Sequence, residues 1–144
     1  MLLSTHIVYG KYITIDQKSI EIDIAKPIFI VEGKETTKIN EINNIGYYEF
    51  LIKNFNEIDI SETGFFYTIE IISKTDESIQ FELYREDTQI PLNNLKTQQI
   101  SIIGNQKIEH KYKLKVTYDK SKGTEGKDIL EEIQVKVHSE QEKI

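Results

Sequence analysis

Alternation of apolar and polar residues runs through most of this chain and constrains its fold more than any other feature. The clearest example is the segment 111–118, in which three lysines and a threonine alternate with Tyr112, Leu114, Val116 and Tyr118. Because successive side chains of a strand point to opposite faces, a period of two gives the strand one apolar and one polar face. The pattern recurs in segments 20–24, 47–52, 65–72, 80–83 and 132–138. We therefore predict antiparallel strands with one face in a core and the other in water.

Turn-forming residues separate the alternating segments. They include the pairs Asn43-Asn44, Asn93-Asn94 and Gly104-Asn105 and the longer stretches 61–64 and 121–126. Composition agrees with strands, because the chain has 26 isoleucines and a single alanine, the best helix former. The sequence thus predicts an all-β fold, an antiparallel β-sandwich of seven to nine strands, either immunoglobulin-like or jelly-roll.

The length of 144 residues fits one domain with one sizeable core. We expect a single sandwich domain over residues 11–138 and a polar tail over 139–144. Residues 1–10 are apolar and carry no acidic or basic side chain. Three interpretations stay open for them: the remnant of a signal peptide, a disordered leader, or an ordinary first strand. They are too few for a transmembrane helix, which needs about 20 residues, so no stable transmembrane anchor is expected.

Charge and cysteine content exclude several classes of function. The formal net charge of −6 argues against nucleic acid as a partner, because neutralising phosphates requires a basic surface. The absence of cysteine removes disulfides, thiolate nucleophiles and zinc–cysteine sites.

Searching the sequence for catalytic constellations finds none. Of the three histidines, His6, His110 and His138, the last two are assigned to the polar faces of strands as solvated side chains, and none has metal-ligand spacing. The serines lie outside any nucleophile elbow, and no glycine-rich run precedes a helix. We predict no catalytic, metal-binding or cofactor-binding residues, no cofactor and no enzymatic activity; a hydrolase is the least favoured hypothesis.

Two kinds of binding site remain as alternatives, one for calcium and one for sugars. The loop 119–128 contains oxygen ligands for calcium in Asp119, Ser121, Glu125 and Asp128, but three lysines in the same loop oppose a cation. The chain has eight tyrosines and no tryptophan, and most of the tyrosines fall in alternating segments. They are therefore interpreted chiefly as core or cross-strand residues, which leaves sugar binding as a minor alternative.

Several segments together resemble a known family. They are Gly10-Lys11-Tyr12, residues 25–29, 48–54, 60–62, 67–71 and 112–116. These segments resemble small secreted proteins of Gram-positive bacteria that are processed by the SipW type of signal peptidase and are related to TasA and camelysin. The resemblance implies an extracellular or cell-surface sandwich. In the fibre-forming relatives, an N-terminal segment of one subunit adds as a strand to the sheet of the next.

The candidate donor for such an assembly is an isoleucine-rich segment formed by Ile13, Ile15, Ile20, Ile22 and Ile24. The same segment could equally be the domain's own first strand. We expect a secreted or cell-surface structural protein, a biofilm-matrix or fibre-type component whose partners are further copies of itself or other matrix and surface proteins. The alternative is an extracellular module that recognises a glycan or a surface protein through loops at one end of the sandwich.

Overall fold

The computed structural model describes residues 3–9, 13–14, 27–37, 44–73, 79–119 and 133–142. All regular structure within these residues is β-strand. The strands are β1 (Leu3–Tyr9), β2 (Ile13–Thr14), β3 (Ile30–Thr37), β4 (Ile45–Lys53), β5 (Phe65–Ile72), β6 (Ile79–Arg85), β7 (Thr88–Ile90), β8 (Ile100–Ile102), β9 (Glu109–Tyr118) and β10 (Gln134–Gln141).

The strands form two sheets in which every neighbouring pair is antiparallel. Sheet A has the order β2-β1-β10-β5-β8, and sheet B has the order β3-β4-β9-β6-β7. The all-β sandwich predicted from the alternation is confirmed. Three of the ten strands, β2, β7 and β8, have no more than three residues, and the other seven have seven or more. The alternating pattern detects five of the seven long strands and misses β1 and β3, which lie outside the alternating segments. A run of two or three residues is too short to show a period.

The order of pairing identifies which kind of sandwich this is. Apart from β2 and β3, the strands pair from the outside of the chain inward: β1 with β10, β4 with β9, β5 with β8, and β6 with β7. Such nesting arises when one long hairpin winds around both sheets, which is the jelly-roll arrangement. Of the two architectures that the sequence left open, the strand order is therefore that of the jelly roll.

The core lies between the two sheets and contains the apolar faces that the alternation predicts. In β9, Leu114 and Val116 have no exposed surface, and Tyr112 and Tyr118 are 2% and 3% exposed. The other long strands contribute buried residues at every second position: Tyr48, Phe50, Ile52, Phe65, Tyr67, Ile69, Ile71, Val135 and Val137. Burying one large apolar side chain stabilises a fold by about 1.5–3 kcal/mol, so this layer is the main source of stability.

The strands extend beyond both expected domain boundaries, residues 11 and 138. Leu3–Tyr9 pairs with β10 along its whole length and so forms a strand of sheet A ahead of residue 11. At the other end, β10 continues through Ser139–Gln141, three residues into the predicted polar tail. Ser139 pairs with Ser4 on one side and Tyr67 on the other, and it is buried because it lies on the same core-facing side of β10 as Val135 and Val137. Backbone pairing on both sides outweighs the polar character that suggested a tail.

Candidate functional site

The expected assembly segment begins at the edge of sheet A. Its first isoleucine, Ile13, lies in β2 and pairs with Val8 of β1, while Thr14 pairs with Ile7. The other four residues of the segment, Ile15, Ile20, Ile22 and Ile24, lie outside the described residues. The start of the segment thus pairs with the domain's own β1, which the intramolecular interpretation requires. It also lies at a sheet edge, which strand addition requires.

Strand β1 is paired very unequally on its two sides. All seven of its residues pair with β10, but only Ile7 and Val8 pair with β2. Within the described part of the chain, Leu3–His6 thus has a strand neighbour on one side only. In an antiparallel strand, backbone groups point alternately to the two sides, so some N–H and C=O groups of Leu3–His6 face away from β10. Such an edge is a template for another strand.

The loops at one end of the sandwich are joined by a buried asparagine. Asn54 follows β4 and has no exposed surface. Its side chain donates hydrogen bonds to the carbonyl oxygens of Ile103, at 3.1 Å, and Gln106, at 2.7 Å. Its Oδ1 accepts a 2.8 Å hydrogen bond from the backbone N–H of Ile108. One side chain thereby connects the loop that follows β4 to the loop between β8 and β9.

These two connected loops carry exposed apolar side chains. Ile58 is 88% exposed, Ile103 51% and Ile60 41%, and no other large apolar side chain is exposed among residues 27–34, 44–73, 79–119 and 133–142. Ile58 lies in a tight turn in which Oδ1 of Asn56 accepts hydrogen bonds from the N–H groups of Ile58 and Asp59. The loop fold thus holds apolar groups in water instead of turning them inward.

A polar cluster lies inside the same end of the sandwich, next to the β6–β7 turn. The hydroxyl groups of Tyr67 and Tyr112 are hydrogen-bonded to each other, and Tyr67 Oη lies 2.7 Å from His110 Nδ1. Arg85 lies beside both tyrosines and completes the cluster through its electrostatic interaction with them. The prediction that His110 is a solvated surface residue is wrong. His110 has the same strand parity as Tyr112, and its ring therefore lies on the core side of β9.

Burial and the charge of Arg85 set the protonation states of this cluster. Burial raises the pKa of Tyr67 and of Tyr112, and the hydrogen bonds from Arg85 offset only part of this effect. Burial, and then the charge of Arg85, lowers the pKa of His110. Both phenols thus stay neutral near pH 7, and neither is activated as a nucleophile or base. The cluster is suited to fixing side chains in place.

His138 lies where the alternation places it, on the outer face of sheet A. Its Nε2 is 3.7 Å from Oε1 of Glu70 on β5, and about a third of each side chain is exposed. Only the backbone of His6 is described. Within the described residues, no group of three or more His, Asp or Glu side chains could hold a metal ion. The loop 119–128 is described at Asp119 alone, so its calcium alternative lies outside the described part of the chain.

Comparisons with known proteins leave the chain without an assigned family. No protein-family model, no curated protein and no solved structure matches it. The described residues include no helix long and apolar enough to cross a membrane.

Proposed function

We propose that this protein is a secreted or cell-surface structural protein that assembles by β-strand addition, with a further copy of itself or another matrix or surface protein as the partner. The observation that carries the proposal is the unequal pairing of β1, whose residues Leu3–His6 have a strand neighbour on one side only within the described chain. The resemblance to the TasA and camelysin family supports the same function and an extracellular location.

The register of β2 indicates how a donor strand would add. Thr14 pairs with Ile7 and Ile13 with Val8, in antiparallel register. A donor segment that continues this register would place Ile15 opposite His6 and Gln17 opposite Ser4. Main-chain hydrogen bonds along the edge supply affinity, and Ile13 and Ile15, two residues apart, share one face of the added strand.

Removing residues 11–25 is expected to abolish oligomers and filaments. The deletion takes away the donor strand but leaves the buried faces of sheet B and of β5 and β10 intact. Size-exclusion chromatography with light scattering and negative-stain microscopy of the full chain and of the deletion variant would measure the loss. Circular dichroism would check that the remainder stays folded.

A point variant separates loss of the donor strand from loss of the fold. Ile15→Asp places a charge on the apolar face of the donor strand and should raise the concentration needed for assembly at least tenfold. Thr14→Asp places the same charge on the other face of the strand; it is the matched control and should assemble like the natural chain. A full chain that stays monomeric at every concentration, or a deletion variant that still forms filaments, would sink the proposal.

A second candidate function is supported by the exposed isoleucines of the joined loops. An exposed apolar group on a rigid loop favours a protein partner over a glycan, because it gains by being covered with other apolar surface. In this hypothesis the sandwich-end loops recognise a surface protein.

Ile58→Ser tests the loop hypothesis directly. Because Ile58 is 88% exposed, the substitution should change the free energy of unfolding by less than about 0.5 kcal/mol. A protein retained from cell-surface extract by the immobilised chain should be lost with Ile58→Ser and kept with Glu57→Ala, the neighbouring exposed control. Equal retention by both variants would contradict the hypothesis.

A further inference from the structure

The outer face of sheet B contains an open groove of about 940 Å³ over its three central strands, β4, β9 and β6. Two rows of side chains cross the groove, each defined by the strand register. In the first row, Tyr47 pairs with Lys115 and Lys115 with Glu82. In the second row, Glu49 pairs with Lys113 and Lys113 with Tyr84. From β4 across β9 to β6, the first row therefore reads tyrosine, lysine, glutamate, and the second row reads glutamate, lysine, tyrosine.

Contacts between the rows fix the orientation of both tyrosines. The Lys113 ammonium lies 5.2 Å from the centre of the Tyr47 ring and 3.3 Å from Oε1 of Glu49. The Tyr84 hydroxyl donates a 3.1 Å hydrogen bond to Oε1 of Glu82, which also lies 3.6 Å from Lys115 Nζ through its other oxygen. Both tyrosines are half-buried, so part of each ring stays open to the groove.

Strand geometry sets the distance between the two rings. Tyr47 and Tyr84 are two strands and two residues apart, which places their Cα atoms about 12 Å from each other on the sheet. Since the central strands of a sheet are its most rigid part, the two rings form a fixed pair on a firm base. The apolar floor beside them includes Leu51, which is 3% exposed although it points to the outer face.

The charges that line the groove balance, and Glu82 at its border adds one further carboxylate. Its lining includes four lysines, namely Lys34, Lys111, Lys113 and Lys115, and four carboxylates, namely Glu49, Glu86, Asp87 and Glu109. An acidic or basic polymer would meet as much repulsion as attraction here. An apolar peptide or lipid would have to strip water from eight charged groups. A neutral ligand rich in hydroxyl groups avoids both costs, because its hydroxyls accept hydrogen bonds from lysine and donate them to carboxylates.

We propose that this groove binds a neutral glycan chain, with sugar rings packed against Tyr47 and Tyr84 and sugar hydroxyls bonded to the surrounding lysines and carboxylates. The apolar C–H face of a sugar matches the face of an aromatic ring, and two rings at a fixed spacing select an extended chain over a single sugar. This site is independent of the proposed assembly edge, because it lies on the other sheet. It also differs from a glycan site on the sandwich-end loops.

Neutral hexasaccharides test the groove directly. We would titrate the full chain with β-1,4-linked glucose, α-1,4-linked glucose and β-1,4-linked N-acetylglucosamine hexasaccharides by calorimetry. Tyrosine fluorescence would be followed in parallel, because the chain has no tryptophan to mask it. At least one of these sugars should bind, and the double variant Tyr47→Ala/Tyr84→Ala should bind it at least tenfold more weakly. Polygalacturonate, an acidic chain, should bind at least tenfold more weakly than the neutral sugar.

Two further variants control for folding and for position. Phe66→Ala removes a half-buried aromatic from the outer face of sheet A and should leave sugar binding within twofold of the natural chain. Lys113→Ala removes an exposed side chain that contacts Glu49 and Tyr47, and it should weaken binding several-fold without changing the melting temperature. No binding of any neutral hexasaccharide, binding unchanged in the tyrosine and lysine variants, or equal binding of polygalacturonate would overturn the proposal. Oligomer size, measured on the same samples, reports on assembly separately.

Discussion

Raising the pH above about 10 is expected to unfold this protein over a narrow pH range, because three core tyrosines resist ionisation in the folded state. Tyr48, Tyr67 and Tyr112 are 4%, 1% and 2% exposed. Burial raises the pKa of each, most strongly for Tyr67, where the neighbouring Tyr112 adds to the effect. In the unfolded chain the same phenols lose their protons near pH 10.

The sign of the effect follows from proton binding. Above pH 10 the folded state keeps protons that the unfolded state has released, so the free energy of unfolding falls as pH rises. Below pH 10 both states are protonated and the contribution is fully present. Each tyrosine lowers the free energy of unfolding by about 1.4 kcal/mol per pH unit, and the three together by about 4 kcal/mol per unit. Typical domains have a free energy of unfolding of only about 5–15 kcal/mol, so about one to four pH units above pH 10 suffice to cancel it.

Urea unfolding at half-unit steps between pH 8 and pH 11.5 would measure this slope. Tyr48→Phe is the most informative variant, because the Tyr48 hydroxyl is buried and finds no hydrogen-bond partner among the described residues. Its removal should leave the free energy of unfolding at pH 7 unchanged or higher, since an unsatisfied polar group is lost. The slope above pH 10 should fall by about a third. A stability that stays constant from pH 9 to pH 11.5 would contradict the argument.

The alternating sequence predicts the two-layered fold well, because the burial of one strand face controls both the sequence pattern and the layers. A strand with one buried face must repeat with a period of two, and the segments 111–118 and 65–72 meet that requirement in sequence and in structure. The turns Asn93-Asn94 and Gly104-Asn105 were also recognisable. Asn94 and Asn105 adopt positive φ angles of 51° and 61°, which asparagine tolerates better than most residues.

Other features gave no local signal. The β6–β7 turn uses Glu86 and Asp87 at φ angles of 45° and 68°, a conformation usually marked by asparagine or glycine. Pairing of β6 with β9 and β7 fixes the turn in spite of its sequence. The period of two does locate His110, because His110 shares the parity of Tyr112 and so lies on the core side of β9. Tyr47 and Tyr84 line the same groove because β9 lies between their strands, β4 and β6. This strand order cannot be deduced from the alternation of the sequence.

Asn54 is a further residue whose role the sequence conceals, and its substitution by alanine is expected to destabilise the protein by about 3 kcal/mol. The substitution removes three hydrogen bonds at once. It leaves the carbonyls of Ile103 and Gln106 and the N–H of Ile108 without their partner. Leaving one such group unsatisfied costs about 1–3 kcal/mol, and access of water to the loops reduces the sum.

Asn56→Ala is the matched control, because it makes the same substitution two residues away. Asn56 is exposed and its Oδ1 accepts two hydrogen bonds from the turn at Ile58 and Asp59, so its loss should cost about 1 kcal/mol or less. Urea midpoints at constant slope would give both values. Equal costs for the two variants would show that the buried position of Asn54 contributes nothing of its own.

The asparagine also links stability to the loop surface. Because Asn54 joins the loop that carries Ile58 to the loop that carries Ile103, its loss should free the two loops from each other before the core unfolds. Amide hydrogen exchange at Ile108 should then accelerate far more in Asn54→Ala than exchange at Leu114 in the core. If both amides accelerate equally, the loops open only with the whole domain, and Asn54 acts on global stability alone.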